Sequence, residues 1–249
     1  RTRALSESND KLAMVDEHRR KLLAEISHEF RTPLTVIKGE SEIALRNKSN
    51  DVGDYKEAFS RIIDTADHAT GLVEDLLFIV RADAGEPRLE LQSTEVTGLV
   101  AEVCEEFGGK AASKELEIDF KGGVEHATLQ GDARRLRQVF AILLDNALRY
   151  SHAGGTVEVA VAGQEDHLRV TVMDRGIGLS EEEADQAFHR FFRGRAAQAH
   201  AAQGTGLGLP VARAIVEAHG GTIAIAPREG GGATATVTLP VEGSLRVVA

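Results

Sequence analysis

The run Ile26-Ser27-His28-Glu29-Phe30-Arg31-Thr32-Pro33-Leu34-Thr35 decides how the first third of this chain folds. At about 100° per residue, Leu23, Ile26, Phe30, Leu34 and Ile37 stack into one apolar stripe, so the stretch reads as an amphipathic helix. His28 stands two residues from both Ile26 and Phe30 and points away from that stripe. Thr32, one helical turn on, shares its face. Pro33 has no N–H for the carbonyl of Glu29, which predicts a loosened or bent helix there. An exposed imidazole beside a carboxylate, at a built-in kink, is a candidate for chemistry. The ordinary reading of the same residue is a solvated surface histidine, and His18, His68 and His126 need no more than that.

Working outward, the 249 residues suffice for one large domain or two ordinary ones. Hydrophobic content of 42% with 27% charge is that of a globular chain, and with 4% aromatics and no Trp the core is expected from Leu, Val, Ile and Ala. A net charge of −10 argues against a general nucleic-acid binder, which needs a basic face. The single Cys104 excludes an internal disulfide framework and reads as a small buried residue on a helix. No window approaches ~18 consecutive apolar residues, so no membrane span is expected within these residues. No signal peptide is visible. The chain begins Arg1-Thr2-Arg3, without Met, and is read as a fragment that upstream segments could precede.

Leu5, Leu12, Val15, Arg19, Leu22 and Ile26 follow the three-and-four spacing of a coiled-coil stem, with Arg19 interrupting the seam. The helix continues to about Arg46, and the polar run from Asn47 to Gly53 reads as a loop. A second helix follows, its apolar face running from Tyr55, Phe59 and Ile62 through Leu72, Leu76 and Leu77 to Val80. Two such helices form an antiparallel hairpin, which cannot bury a wide apolar stripe alone; pairing two hairpins into a four-helix bundle predicts a homodimer. Ala84-Gly85-Glu86-Pro87 combines both common helix stops and marks the expected boundary. The expected division is a stem over 1–20, a helical domain over 21–84, a hinge at 85–88, a second domain over 89–242 and a tail at 243–249.

From Arg88 the texture becomes mixed. Strands are expected at Leu89–Leu91, Leu116–Phe120, Ala127–Gln130, Thr156–Val161 and Leu168–Met173, with a closing hairpin of Thr222–Ala226 and Thr234–Leu239. A helix is expected from Val96 to Phe107, and Asp132 caps another that carries Leu136, Val139, Phe140, Leu143, Leu144 and Leu148. The pattern predicts an α/β sandwich, with helices over one face of a mixed sheet.

Three segments of this domain suit a nucleotide. In Leu143-Leu144-Asp145-Asn146-Ala147-Leu148-Arg149-Tyr150-Ser151, Asn146 faces away from the oily side, and its carboxamide oxygen suits a hard cation. The adjacent Arg149 suits phosphate. In Met173-Asp174-Arg175-Gly176-Ile177-Gly178-Leu179, glycines permit close backbone approach and Asp174 can accept from an adenine amino group, though a plain strand-end turn fits the segment equally. In Gly204-Thr205-Gly206-Leu207-Gly208-Leu209-Pro210, glycines open a helix whose N–H groups form a phosphate cradle. The preceding Arg193–Gln203 has little to anchor it and is expected to be a mobile lid.

In this order, His-Glu-x-x-Thr-Pro, Asn, Asp-x-Gly-x-Gly, Phe188-His189-Arg190-Phe191-Phe192-Arg193 and Gly-x-Gly-x-Gly resemble a sensor histidine kinase of bacterial two-component systems. The resemblance covers nearly the whole chain. It implies a dimerisation and histidine-phosphotransfer domain followed by a Bergerat-type ATP-binding domain, with ATP and Mg²⁺ as cofactors and a response regulator as partner. By resemblance, His28 is the phosphoacceptor, Glu29 its general base, and Thr32 positions water for dephosphorylation of the partner. Asn146 holds Mg²⁺; Arg149 and Tyr150 contact nucleotide; Asp174 reads adenine, with Gly176 and Gly178 shaping that pocket. Arg193 faces the phosphates, and Gly204, Thr205, Gly206, Leu207 and Gly208 form the lid hinge and phosphate loop. The resemblance further implies a full-length protein in the bacterial inner membrane with this part facing the cytoplasm. One departure stands out: many relatives carry a second polar residue one turn before the magnesium Asn, where this chain has Ile142. Two other readings remain: an ATPase clamp of the chaperone or mismatch-repair kind, which has no use for His28, and a non-catalytic dimeric scaffold that binds nucleotide as a regulator.

Overall fold

Contacts divide the chain into two units, residues 1–75 and 76–249. The computed structural model describes residues 26–27, 29–46, 52–164, 166–200, 204–241 and 246–247. His28, the expected stem over 1–20 and most of the 47–53 loop lie outside the described residues. Among the described residues, no helix is long and apolar enough to cross a membrane.

The first unit contains α1 (residues 29–46, preceded by helical Ile26 and Ser27) and most of α2 (Val52–Asp83). Helix continues through Pro33, which is buried. The inward line of α1 runs Ile26, Phe30, Pro33, Ile37, Ser41 and Ala44. Leu34, expected on that line, is 61% exposed, because Pro33 takes the inward position and Leu34 lies about 100° further round. The Arg61 guanidinium of α2 donates to Glu40 of α1 at 3.0 Å and ties the two helices. The single apolar face expected for α2 divides in two. Ala58 and Leu72 are buried, whereas Phe59, Ile63 and Val73 stand exposed on a second stripe.

In the second unit, β1 (Gln92–Glu95) leads into α3 (Val96–Ala112), and β2 (Glu117–Gly122), β3 (Val124–His126) and β4 (Thr128–Gly131) precede α4 (Ala133–Tyr150). Then come β5 (Thr156–Gln164), β6 (His167–Met173), α5 (Glu181–Gln186), α6 (Arg195–His200), α7 (Gly208–Ala218), β7 (Thr222–Pro227), β8 (Ala233–Pro240) and β9 (Arg246–Val247). The main sheet has the order β2-β5-β6-β8-β7, parallel at β2–β5 and antiparallel elsewhere. Alternation sets its inner face: Val157, Val159, Val161, Leu168, Val170, Val172, Val237 and Leu239 are all buried. They pack beneath Val100 and Val103 of α3, Leu136, Val139 and Leu143 of α4, and Val211 and Ile215 of α7. The opposite face, with Arg169 and Thr171, stays partly open, so the helices cover one face of a mixed sheet as expected.

The expected strand at Leu89–Leu91 is displaced. Leu91 is 59% exposed, and pairing begins at Gln92 because Thr94, 5% exposed, donates its hydroxyl to the Gly131 carbonyl at 2.9 Å. Strands β3 and β9 pair with each other across the length of the unit, and β9 falls in the expected tail. The last turns of α2 belong to this unit as well: Phe78 and Ile79 are buried, the Arg135 guanidinium lies 4.4 Å above the Phe78 ring, and Arg190 pairs with Asp83.

Asp132 roots α4. Its Oδ1 accepts from the Arg135 N–H at 3.0 Å and its Oδ2 from the Glu90 N–H at 3.1 Å. Burial raises its pKa, but those two N–H groups and the flanking arginines outweigh burial and hold it below the usual carboxylate range. The Asp132 N–H donates to His219 Nε2 at 2.9 Å, so the proton of the neutral ring sits on Nδ1, which donates to the Ile215 carbonyl at 2.7 Å. One bond thereby joins the start of α4 to the end of α7.

Candidate functional site

The C-terminal half of α4, the loop after β6, the Phe-rich segment and the glycine loop before α7 surround one cavity of about 450 Å³. Asn146, Arg149, Tyr150, Asp174, Gly178, Arg193, Gly204, Thr205, Gly206 and Gly208 line it. Gly176 and Leu207 are buried beside it rather than on its wall. Glu29 is half-buried and Thr32 exposed on α1, in the other unit.

Each wall follows from local sequence. The burial periodicity of α4 turns Leu143, Leu144 and Leu148 to the sheet, which leaves Ile142, Asn146 and Arg149 half-exposed toward the cavity. Asp145 accepts from Arg149 at 2.9 Å and is also paired with Lys110 of α3. Burial pushes Asp145 up, but these two cations outweigh it and its pKa lies below normal. Ile142 packs toward the start of α7: a Cβ on Gly208 would lie 3.1 Å from its Cγ2.

Asp174, 6% exposed, closes the inner end. Its Oδ1 accepts from the Gly176 N–H at 2.9 Å and the Ala233 N–H at 3.2 Å. Burial pushes this carboxyl above the usual range, and the two N–H groups, Arg228 and His152 offset only part of that. The loop must pass against the end of α4: Ile177 donates its N–H to the Tyr150 carbonyl at 3.1 Å, and a Cβ on Gly176 would lie 1.9 Å from the same oxygen. Only glycine fits there.

At the opposite wall, Gly206 has φ +68°, and a Cβ on it would lie 2.7 Å from the Phe191 backbone. Its carbonyl accepts the Phe191 N–H at 2.9 Å, so the glycine loop is seated on the Phe-rich segment. Leu207 at the N-cap of α7 supplies no side-chain cap, which leaves the first turn of that helix to be satisfied from outside it.

The expected mobile lid is corrected in part. Residues 195–200 form α6, and the Arg195 N–H donates to Glu183 Oε1 at 2.9 Å while Gln198 donates to the Arg193 carbonyl at 2.8 Å. Residues 201–203 lie outside the described residues. Glu183 lines the cavity and was missed, although Ser180-x-x-Glu183 is a legible capping box that the structure forms. Phe107 and Asp145 were also missed as lining residues; Asp145 could have been found from its i,i+4 spacing to Arg149.

Among the described residues, no three His, Cys, Asp or Glu side chains gather as a metal site. The donor set instead suits a cation shared with phosphate: one carboxamide at Asn146, facing glycine-rich backbone across the cavity.

The one-sided sandwich and this lining define an ATPase-type α/β fold. Residues 131–243 match the family described as histidine kinase-, DNA gyrase B-, and HSP90-like ATPase, and residues 18–85 match the His Kinase A (phospho-acceptor) domain. The chain belongs to the sensor histidine kinases. It is 33% identical over 228 residues to the signal transduction histidine-protein kinase BaeS of Escherichia coli, covering 92% of this chain and 48% of that one. It is 34% identical to the probable sensor histidine kinase TcrY of Mycobacterium tuberculosis, covering 90% and 46%. The chain thus spans about half the length of these curated relatives. Among solved structures, the histidine kinase AdeS of Acinetobacter baumannii superposes with a TM-score of 0.66 at 26% identity, covering 87% of this chain and 98% of that one. Full-length ShkA in complex with AMPPNP gives 0.65 at 26%, covering 92% and 46%.

Proposed function

We propose that this chain is the catalytic part of an ATP-dependent protein histidine kinase that phosphorylates itself on His28 and passes the group to an aspartate of a response regulator. The observation that carries this reading is the single cavity that gathers Asn146, Arg149, Asp174, Arg193 and the Gly204–Gly208 loop from distant parts of the sequence. A relative of similar fold, ShkA, has been solved with AMPPNP, which supports ATP as the nucleotide. Both backbone donors to Asp174 use Oδ1, and Oδ2 is the oxygen we assign to the exocyclic amino group of adenine. The start of α7 and Arg193 receive the phosphates.

Asn146 would hold Mg²⁺, which would supply charge neutralisation at the triphosphate. Ile142 offers it no oxygen. In the transfer, an imidazole nitrogen of His28 bonds to the γ-phosphorus, the bond from phosphorus to the β–γ bridging oxygen breaks, ADP leaves, and Glu29 takes the ring proton. Imidazole suits this step because its ordinary pKa near ~6.5 leaves it largely neutral at neutral pH. Thr32, exposed one turn on, orients water when the kinase dephosphorylates its partner, so that the regulator's aspartyl phosphate is hydrolysed to aspartate and phosphate.

The second apolar stripe of α2 supports a homodimer built through the helical hairpins, with motion between the units carrying His28 to ATP. Attachment of the whole protein to the inner membrane through upstream segments belongs to the same proposal. The deciding experiment uses γ-labelled ATP. His28→Gln should abolish acid-labile labelling while nucleotide binding persists; labelling that survives the substitution overturns the assignment. Steady ATP turnover with no phosphoprotein would instead favour a clamp ATPase.

A further inference from the structure

Arg228 lies in the turn between β7 and β8, in the run Pro227-Arg228-Glu229-Gly230-Gly231-Gly232, which reads as nothing more than a polar hairpin turn. Its side chain is nonetheless only 15% exposed. One nitrogen, Nη2, donates to Glu158 Oε1 of β5 at 2.6 Å, and the other, Nη1, to the Asp174 carbonyl at 3.3 Å. The arm therefore crosses the ends of β8 and β6, over the row in which Thr234, Met173 and Glu158 are paired neighbours.

The turn that carries it is built against the same peptide. The Arg228 N–H donates to the Gly232 carbonyl at 3.1 Å, and the Gly231 N–H to the Arg228 carbonyl at 3.0 Å. A Cβ on Gly232 would lie 2.2 Å from the Asp174 carbonyl oxygen. Ala233, next in line, exchanges two bonds with Asp174: it accepts the Asp174 N–H at 2.9 Å and donates its own to Oδ1 at 3.2 Å. The backbone oxygen of Asp174 is thus held by Arg228, while its carboxylate is held by Gly176 from its own loop and by Ala233, which follows the turn.

We propose that Arg228 is a positioning residue for adenine recognition, fixing the Asp174 peptide from behind so that the carboxylate meets the base at one angle. This rests on the assignment of Asp174 to adenine made above. The titratable and charged groups around Asp174 are Arg228 on the turn, His152 after α4 and Arg175 beside it, with Glu158 of β5 paired to the far arm of Arg228. Arg228 and His152 both favour the ionised carboxylate, and removing Arg228 removes part of that support.

The test measures calorimetric affinity of the purified chain for ATP and for inosine triphosphate, which carries a 6-oxo group in place of the 6-amino group, between pH 5 and 8. Arg228→Gln should weaken ATP binding about tenfold, the scale of one lost hydrogen bond to a charged group. It should compress the preference for ATP over the inosine nucleotide and move the acid loss of ATP binding to higher pH. Arg228→Lys, which keeps the charge, should restore the acid limb. Glu158→Gln, which leaves Arg228 in place, should compress the preference by a smaller factor and stands in if Arg228→Gln does not fold. A folded Arg228→Gln chain, or failing that a folded Glu158→Gln chain, with unchanged preference and pH profile overturns the inference. Asp174→Asn separates the two ideas. If it too keeps the preference, the assignment of Asp174 to adenine has failed; if it loses the preference and Arg228→Gln does not, the positioning role alone has failed.

Discussion

In the α/β unit Leu168, Val170, Val237 and Leu239 have no exposed surface, whereas in the helical unit Ile43 is 64%, Leu45 86%, Phe59 57% and Ile63 59% exposed. Both regions were written with alternating apolar and polar residues. A sheet with helices on one face closes over its apolar side within one chain, but two helices enclose only the line between them. The exposed stripe is therefore information about assembly, and the enclosed core is information about the nucleotide site.

The largest effect expected from this contrast is on association. Phe59→Glu with Ile63→Glu should convert the proposed dimer to monomer in light scattering, with a loss of about a thousandfold or more in association, since each exposed large side chain buries ~1.5–3 kcal/mol. Nucleotide affinity should stay unchanged; a dimer that persists would show that this stripe is not the interface. A matched pair comes next. Leu168→Ala should cost about 2–5 kcal/mol in denaturant unfolding, and Leu45→Ala less than about 0.5 kcal/mol when measured on the monomer. Equal costs would erase the distinction between the units.

Loss of the α4 cap is smaller. Asp132→Ala should cost about 1–2 kcal/mol. Because its folded-state pKa is depressed, the stabilisation is present above the ordinary carboxylate range and is lost as pH falls through the lowered value. Asp174 behaves in the opposite sense. Its raised pKa means the ionised form costs the fold stability, so Asp174→Asn, which keeps an Oδ1 acceptor, should leave the melting temperature unchanged or higher while ATP binding falls. A melting temperature lowered as much as in Asp132→Ala would contradict that account. The smallest effect is a silence: Cys104, buried on α3 and pushed up to about 11 by desolvation, should resist iodoacetamide at pH 8 until the α/β unit unfolds.

What could be read in advance follows the same division. Strands β5 and β6 announce themselves by alternation, α4 by its apolar spacing and by Asp132, and β7–β8 by two apolar runs around three glycines. The lining of the cavity at Asn146, Asp174 and Gly204–Gly208 was legible because backbone approach and charge need particular residue types at fixed spacings. Periodicity could not show that α2 has two apolar stripes, since it gives a face and not a partner. Nor could it place β3 against β9, where Val124 and His126 pair with two residues from the far end of the chain. Arg228 was illegible for a related reason. Its chemistry depends on partners met only in space, since it lies 70 residues from Glu158 and 54 from Asp174.

The bond from the Asp132 N–H to His219 has a mechanical side. Helices α4 and α7 run in opposite senses, and each is pinned at the end away from the cavity, α4 by its N-cap Asp132 and α7 by its C-cap His219. The ends that line the cavity, at Asn146, Arg149 and Gly208, therefore lie away from that bond. The Glu90 N–H donates to the carboxylate of the same Asp132, so the chain that enters β1, the start of α4 and the end of α7 are all tied at one residue.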